Sequence, residues 1–312
     1  MGRGAAVLAT ATVALAAGCG LGPGRESEGE ATLTVTRDYG SQRLLEATTS
    51  DPGESETVLG FLDREAEIET RYGGGFVQSI EGLSGTAQED RNLDWFFFVN
   101  GIESDRGAAE APVRGGDRIW WDRRDWTDAL RTPAVVGSWP EPFAQASAAD
   151  GLPVTVECRG PRGPCGEVAG RLGEEGVDAV ISEPDTETGE QADAPRILVG
   201  PWKSVRADPI AALLEQAPSS SGVFARFERF RDGYRLLALD ERAELVREDD
   251  SGAGLVAALR EGEKPPTWLI TGTDASGVEL ASQALGPSLA DRYALFVSAE
   301  VDLPLPVAEA TE

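Results

Sequence analysis

The sequence predicts a small β-rich α+β domain followed by an α/β domain, both carried behind an export signal and a short tether. Three observations support this. Short alternating strands surround a single helix over 31–126, strands and helices exchange regularly over 151–304, and a proline-marked bridge at 127–150 separates the two.

Met1-Gly-Arg-Gly precedes a run from Ala5 to Ala17 that is almost wholly apolar and small, ending in Gly18-Cys19. One basic residue before a short apolar core is the layout of an export signal, and the run falls short of the about 20 residues that span a bilayer. Leu15-Ala-Ala-Gly-Cys19 resembles the bacterial lipobox, whose cysteine is lipidated and becomes the mature N-terminus. It departs from the commonest form in having Ala16 where leucine is usual. Residues 1–18 are therefore expected to be a lipoprotein signal peptide. Residues 19–30, rich in Gly, Pro, Ser and acid, are expected to be a flexible tether. The protein is expected at the cell membrane, lipid-anchored and extracytoplasmic, with the bilayer as one partner.

The 54 acidic residues outnumber the 28 basic ones, a net charge of −26; cleavage after residue 18 removes Arg3 and leaves 27 against 54, or −27. Such a surface repels nucleic acid and excludes it as a partner. The chain has no histidine, which closes off the Ser-His-Asp and Cys-His arrangements and histidine-bearing metal sites. Of three cysteines, Cys19 is assigned to lipid. Cys158 and Cys165 remain, and an even pair in an exported chain is most simply a disulfide.

In the first domain, Ala31 to Arg37 alternates Leu33 and Val35 against threonines, and Arg43 to Thr48 can follow as a second strand. Ser50-Asp-Pro-Gly53 is a turn, and Ser55 is the expected N-cap of a helix with Val58, Leu59 and Leu62 on one face. Ile68 to Tyr72, Phe76 to Ile80, Leu93 to Asn100 and Asp117 to Asp122 are expected strands. In the second domain, strands are expected at 152–158, 177–182, 196–200, 267–271 and 293–298, with a hairpin over 222–239. Helices are expected at 166–175, at 210–216 behind Asp208-Pro209, at 255–260, and at 278–284 behind a Ser276/Glu279 capping box. Residues 305–312 are expected to be an acidic tail.

Trp95-Phe-Phe-Phe-Val-Asn-Gly101 is apolar on both faces of its strand: Trp95, Phe97 and Val99 share one, Phe96 and Phe98 the other. Ile119-Trp-Trp121 repeats the pattern, with Trp120 opposite Ile119 and Trp121. Phe96, Phe98 and Trp120 must therefore be covered by the helix, the second domain or a ligand. Asn100-Gly101 favours a tight hairpin, and Asp117 is expected to bond its own backbone.

Trp95 to Gly101 followed by Gly116-Asp117-Arg-Ile-Trp120, with Ser55-Glu-Thr-Val-Leu59 and Gly75-Phe-Val-Gln-Ser-Ile-Glu-Gly82 upstream, resembles the DUF4430, transcobalamin C-terminal-like domains. The resemblance covers about a third of the chain. It implies a small β-rich fold. In transcobalamin-type proteins such a domain closes over one face of cobalamin while an α-helical barrel supplies the rest, and no such barrel is present in this sequence.

No phosphate loop and no nucleophile elbow occurs, and no catalytic residues are assigned. Tyr72-Gly-Gly-Gly-Phe76 reads first as a flexible turn, with Tyr72 a candidate ligand contact beside backbone that can approach a ligand closely. Thr271-Gly-Thr-Asp-Ala-Ser-Gly277 reads first as ordinary helix capping, although such a loop can also present N–H groups to an anion. With Gly200-Pro-Trp-Lys203 it could flank one crevice at the carboxyl ends of the strands, making Trp202, Lys203, Asp274 and Ser276 pocket candidates.

These readings point to a noncatalytic surface lipoprotein that binds a small molecule for an uptake transporter. It needs no cofactor or metal, and a corrinoid such as cobalamin is the ligand the resemblance suggests. The alternative is a structural or adhesion module of the cell envelope with no small ligand. A ligand-sized crevice between the domains favours the first, and a fully packed junction the second. The anchor is tested by fractionating cells that express the full gene: Cys19→Ser is expected to shift the protein from membrane to soluble fractions, and equal membrane retention refutes the assignment.

Overall fold

The structure, a computed structural model, describes residues 29–72, 75–87, 91–184 and 194–308. The expected signal peptide, Cys19 and the tether up to residue 28 lie outside the described residues. The chain is β-rich, with several sheets.

The first part contains β1 (Ala31–Arg37), β2 (Gln42–Thr49), α1 (Val58–Glu65), β3 (Ile68–Arg71), β4 (Phe76–Ile80), β5 (Leu83–Ser84), β6 (Thr86–Ala87), β7 (Asn92–Val99), β8 (Ile102–Glu103) and β9 (Arg118–Asp125). Its main sheet runs β2-β1-β9-β7-β6, with β8 on β7, while β3-β4-β5 forms a separate small sheet. β1 lies parallel to β9. The α1 N-cap is Thr57, not Ser55; its hydroxyl accepts from Gly60 N at 3.1 Å. Val58, Phe61 and Leu62 of α1 cover one sheet face, packing with Leu33, Trp95, Ile119 and Trp121. Asn100 and Gly101 both take left-handed angles (φ 55° and 76°), as a two-residue hairpin between β7 and β8 requires.

The second part contains α2 (Phe143–Asp150), β10 (Val154–Cys158), α3 (Arg162–Glu174), β11 (Ala179–Ser182), β12 (Arg196–Pro201), α4 (Trp202–Val205), α5 (Pro218–Ser221), β13 (Ala225–Phe230), β14 (Gly233–Leu239), β15 (Leu245–Asp249), β16 (Gly254–Leu259), β17 (Thr267–Gly272), α6 (Ala275–Gln283), β18 (Ala294–Val297) and β19 (Asp302–Leu305). A seven-stranded sheet runs β11-β10-β12-β17-β16-β18-β19. Its first four strands are parallel, and β16, β18 and β19 join by antiparallel pairing. Both faces of its central strands are buried. Ile197, Val199, Val256, Ala258 and Trp268 face a core shared with α3, α6 and the bridge residues Trp139 and Phe143. Leu198, Leu255, Ala257 and Leu269 face the three-stranded sheet β13-β14-β15 and the first part.

The segment 255–260, expected to be helical, is strand β16, and all six residues from Gly254 to Leu259 are buried. Leu-Val-Ala-Ala-Leu is apolar at every position, so its periodicity does not distinguish a strand covered on both faces from a buried helix. The helix expected at 210–216 is a short 3₁₀ turn, Ala211–Glu215. The bridge at 127–150 is integral to the fold: Val136, Trp139 and Phe143 lie in the core, and Phe143–Asp150 is helical. The expected tail begins inside the fold as well, since Leu305 ends β19 and Val307 N donates to Leu239 O at 2.9 Å. Cys158 and Cys165 form the expected disulfide, tying the end of β10 to the first turn of α3 with 5.8 Å between Cα atoms.

Helix α6 approaches the sheet through glycine. A Cβ at Gly277 would overlap the Ala253 carbonyl, and one at Gly272 would lie 2.7 Å from that same oxygen. Gly170, on the exposed side of α3, has open space around the corresponding position. Gly277→Ala is therefore expected to destabilise by roughly 1–3 kcal/mol through overpacking, although alanine is the better helix former. Gly170→Ala should stabilise by about 0.5–1 kcal/mol. Urea unfolding of both variants tests the contrast, and shifts of the same sign would refute the close packing.

Candidate functional site

Period-two alternation places Phe96, Phe98, Trp120, Asp122 and Arg124 on the sheet face opposite α1. This face meets the second part directly. The Tyr293 ring stands edge-on to Phe98 at 5.6 Å, to Trp120 at 5.2 Å and to Tyr39 at 5.0 Å between centroids. Tyr39 also meets Phe224 at 5.2 Å. Beneath these rings lies a buried polar chain. Trp120 Nε1 donates to Thr36 Oγ1 at 2.7 Å, and that hydroxyl donates to Asp122 Oδ1 at 2.6 Å. Gly40 N donates to the same oxygen at 3.1 Å, and Tyr293 OH donates to Asp122 Oδ2 at 2.8 Å. Burial pushes the Asp122 carboxyl above its ordinary range and raises the Tyr293 phenol well above its own.

Arg124, also fully buried, donates to the carbonyls of Ala129 at 2.7 Å and Leu130 at 3.1 Å, and its guanidinium lies 3.8 Å from the Phe96 ring centroid. Ion pairs flank the junction: Arg91 to Glu241 at 2.8 Å, Arg260 to Asp105 at 3.2 Å, and Arg43 to Asp291. Gly137 closes it, since a Cβ there would lie 2.9 Å from Arg292 backbone and from the Trp120 ring.

The eight candidate contacts do not converge. Phe98 and Trp120 are enclosed by Tyr293, and Phe96 is half-buried against Arg124. Trp202 is fully buried and stacks on Phe227 at 4.2 Å, so it lines no crevice, whereas Lys203 beside it is exposed. The carboxyl ends of β10 and β12 meet backbone to backbone, and a Cβ at Gly160 would lie 2.7 Å from Pro201 Cδ. Asp274 is the α6 N-cap: Oδ1 accepts from Gly277 N at 3.0 Å and Oδ2 from Gly252 N at 2.8 Å. The expected Ser276/Glu279 box is thus replaced by a cap two residues earlier, and Ser276 is simply exposed.

Tyr72 stands alone at 89% exposure, with Phe76 at 39%. They are the two exposed large aromatics among the described residues, and they sit where β3 ends and β4 begins. Sequence reasoning reached Tyr72 through the glycines that follow it and passed over Phe76. It also passed over Asp122, Arg124, Tyr39 and Tyr293, although extending the alternation beyond Trp120 puts Asp122 and Arg124 on the same face.

The motif residues Asn100 and Asp117 are brought together: Asn100 Nδ2 donates to Asp117 Oδ1 at 2.8 Å, and Arg114 N donates to Asp117 Oδ2 at 2.7 Å. Gln145 of α2 joins them, accepting from Asn100 Nδ2 at 2.8 Å and donating to Asp117. The V-N-G and G-D motifs are therefore two halves of one turn lock, to which the bridge is fastened.

A β-rich sheet covered by one helix, with this turn lock at one end, defines the class of the first part. Residues 55–124 match the family model described as domain of unknown function DUF4430, and this segment is a DUF4430 domain. No curated protein matches the chain. Among solved structures, the chain is similar to a "putative metal binding protein" from Ruminococcus gnavus, with 18% identity and a TM-score of 0.25 over 31% of this chain and 98% of that one. It is similar to haptocorrin in complex with Cbi at 18% identity and a TM-score of 0.23, over 31% of this chain; the match spans 26% of the haptocorrin chain.

The buried carboxyl makes the junction pH-dependent. Asp122 holds its proton to higher pH in the folded state than in the unfolded chain. Its contribution to stability is therefore full below the ordinary carboxylate range of about 4 and falls as pH rises through the raised folded value. Asp122→Asn removes this term. The stability difference, wild type minus variant, is expected to fall between pH 4 and pH 7 in urea unfolding, and a pH-independent difference would refute it.

Proposed function

We propose that this protein is a noncatalytic, membrane-tethered binding protein that captures a planar small molecule outside the cytoplasm, with a corrinoid among the ligands to be tried and an uptake transporter as its partner. In this reading Cys19 carries the lipid, the 31–126 domain presents the ligand surface, and the 151–304 α/β unit braces it. The observation that carries the reading is the exposure of Tyr72 and Phe76 within the DUF4430 segment, while the other aromatic candidates are used internally. Aromatic faces held in solvent at a hairpin tip suit stacking on a flat conjugated molecule. The ligand surface is thus the hairpin, since direct contacts fill the space between the two parts.

That packed junction also favours a second reading, an envelope module without a small ligand. Equilibrium dialysis separates the two. Cyanocobalamin, haemin and riboflavin are offered to the purified protein and to a Tyr72→Ala, Phe76→Ala double variant. Binding of at least one probe, weakened about tenfold or more in the variant, is the expected result. No binding of any probe overturns the ligand reading in favour of the envelope module.

A further inference from the structure

We propose that the outer face of the β3–β4 hairpin selects planar ligands that carry an anionic group, and that Arg71 supplies the charge contact; this rests on the hairpin reading above. In the hairpin register Arg71 pairs with Phe76. Residues directly opposite in an antiparallel pair share a face; the register shifts at Gln78, which has no cross-strand partner, and its side chain meets Arg71 through a hydrogen bond. Val77, Ser79 and Ile80 are buried, whereas Phe76 is exposed and Gln78 half-buried. Arg71 Nε donates to Gln78 Oε1, which orients the guanidinium across the strand and leaves its Nη donors unused by that bond. Tyr72 follows immediately, with a left-handed φ of 54°.

Among the described residues Arg71, like Arg106, Arg114, Arg118, Arg123, Arg229 and Arg292, is in no ion pair, and of these it is the one that adjoins Tyr72 in sequence and pairs with Phe76 across the hairpin. The chain holds 54 acidic residues against 28 basic ones, and many other arginines are paired: Arg64 on nearby α1 reaches both Glu56 and Glu65. The partner of Arg71 is the neutral Gln78 amide. An oriented guanidinium presents a planar fork that fits a carboxylate or phosphate. Combined with two exposed rings, the fork recognises a flat conjugated body bearing such a group. A neutral planar molecule would gain the stacking alone.

Riboflavin and flavin mononucleotide test this directly, because they share the ring system and differ by one phosphate. Flavin fluorescence titrations at 0.15 M salt are run on the full chain, on Arg71→Gln, and on Arg162→Gln, which removes the same charge from a distant exposed site. The phosphorylated probe is expected to bind the wild type about tenfold or more tightly than riboflavin, the scale of one charge-assisted contact. The gap should close in Arg71→Gln and persist in Arg162→Gln. Equal binding of the two probes to the wild type overturns the anion selectivity while leaving the aromatic surface intact. Loss of the gap in both variants assigns it to net charge and also overturns the role of Arg71. Binding of neither flavin overturns the selectivity, while cyanocobalamin or haemin binding in the preceding experiment would still uphold the hairpin surface.

Discussion

The Asp122 carboxylate is the constraint around which the two parts are joined. An ionisable group taken wholly out of water is tolerable only when its oxygens are met by donors, and the donors here come from separate stretches of chain. Thr36 belongs to β1, Gly40 to the turn that follows it, and Tyr293 to the segment entering β18. Trp120 Nε1, itself buried, donates to the Thr36 hydroxyl. Each partner is thereby fixed in position and direction. Removing Thr36 takes the partner from buried Trp120 Nε1, and removing Tyr293 takes it from Asp122 Oδ2, each at a cost of about 1–3 kcal/mol. The aromatic rings stacked over this chain supply apolar burial, but it is the polar chain that fixes the orientation of the first part on the second.

The same geometry accounts for how the large sheet is covered. A sheet whose central strands are buried on both faces needs two layers, and α3, α6 and the bridge supply one of them. The opposite layer is composite: the three-stranded sheet β13-β14-β15, Trp202 and Val205 of α4, the 3₁₀ turn at 211–215, and the Tyr39, Phe98 and Trp120 side chains of the first part share it. The DUF4430 segment is therefore not a bead on a linker. Arg124 extends the attachment by bonding the carbonyls of Ala129 and Leu130, and the Asn100–Asp117–Gln145 cluster fastens helix α2 at the far end of the same sheet.

Much of this was legible in the sequence wherever a local pattern had one meaning. Alternation in Trp95–Val99 and Ile119–Trp121 correctly sorted the rings into two faces, and Asn100-Gly101 correctly marked the turn. Reading failed where the pattern was uniform or the partner distant. Gly254–Leu259 is apolar throughout, and only its place between β17 and β18 makes it a strand. Trp202 after a strand looked like a pocket wall, but its cover, Phe227, lies on a hairpin 25 residues further on, which local spacing does not bring near. Asp122 carried no motif, because its donors are scattered from residue 36 to residue 293.

The packing of the junction bears on the proposed function. Recognition requires unspent surface: rings without ring partners and charges without counter-charges. Inside the junction both are already satisfied, since Tyr293 meets three rings and Asp122 is met by three donors. At the carboxyl ends of the parallel strands, Asp274 occupies the helix N-terminus that would otherwise attract an anion, and glycine contacts close the neighbouring loops. The β3–β4 hairpin of the DUF4430 segment is where two exposed rings and an arginine held by an amide occur together. The second part covers the inner face of the small sheet, and under the proposed function its outer hairpin is the part that meets a ligand. In the proposed reading, that difference corresponds to the internally satisfied aromatics of the junction and the two left exposed.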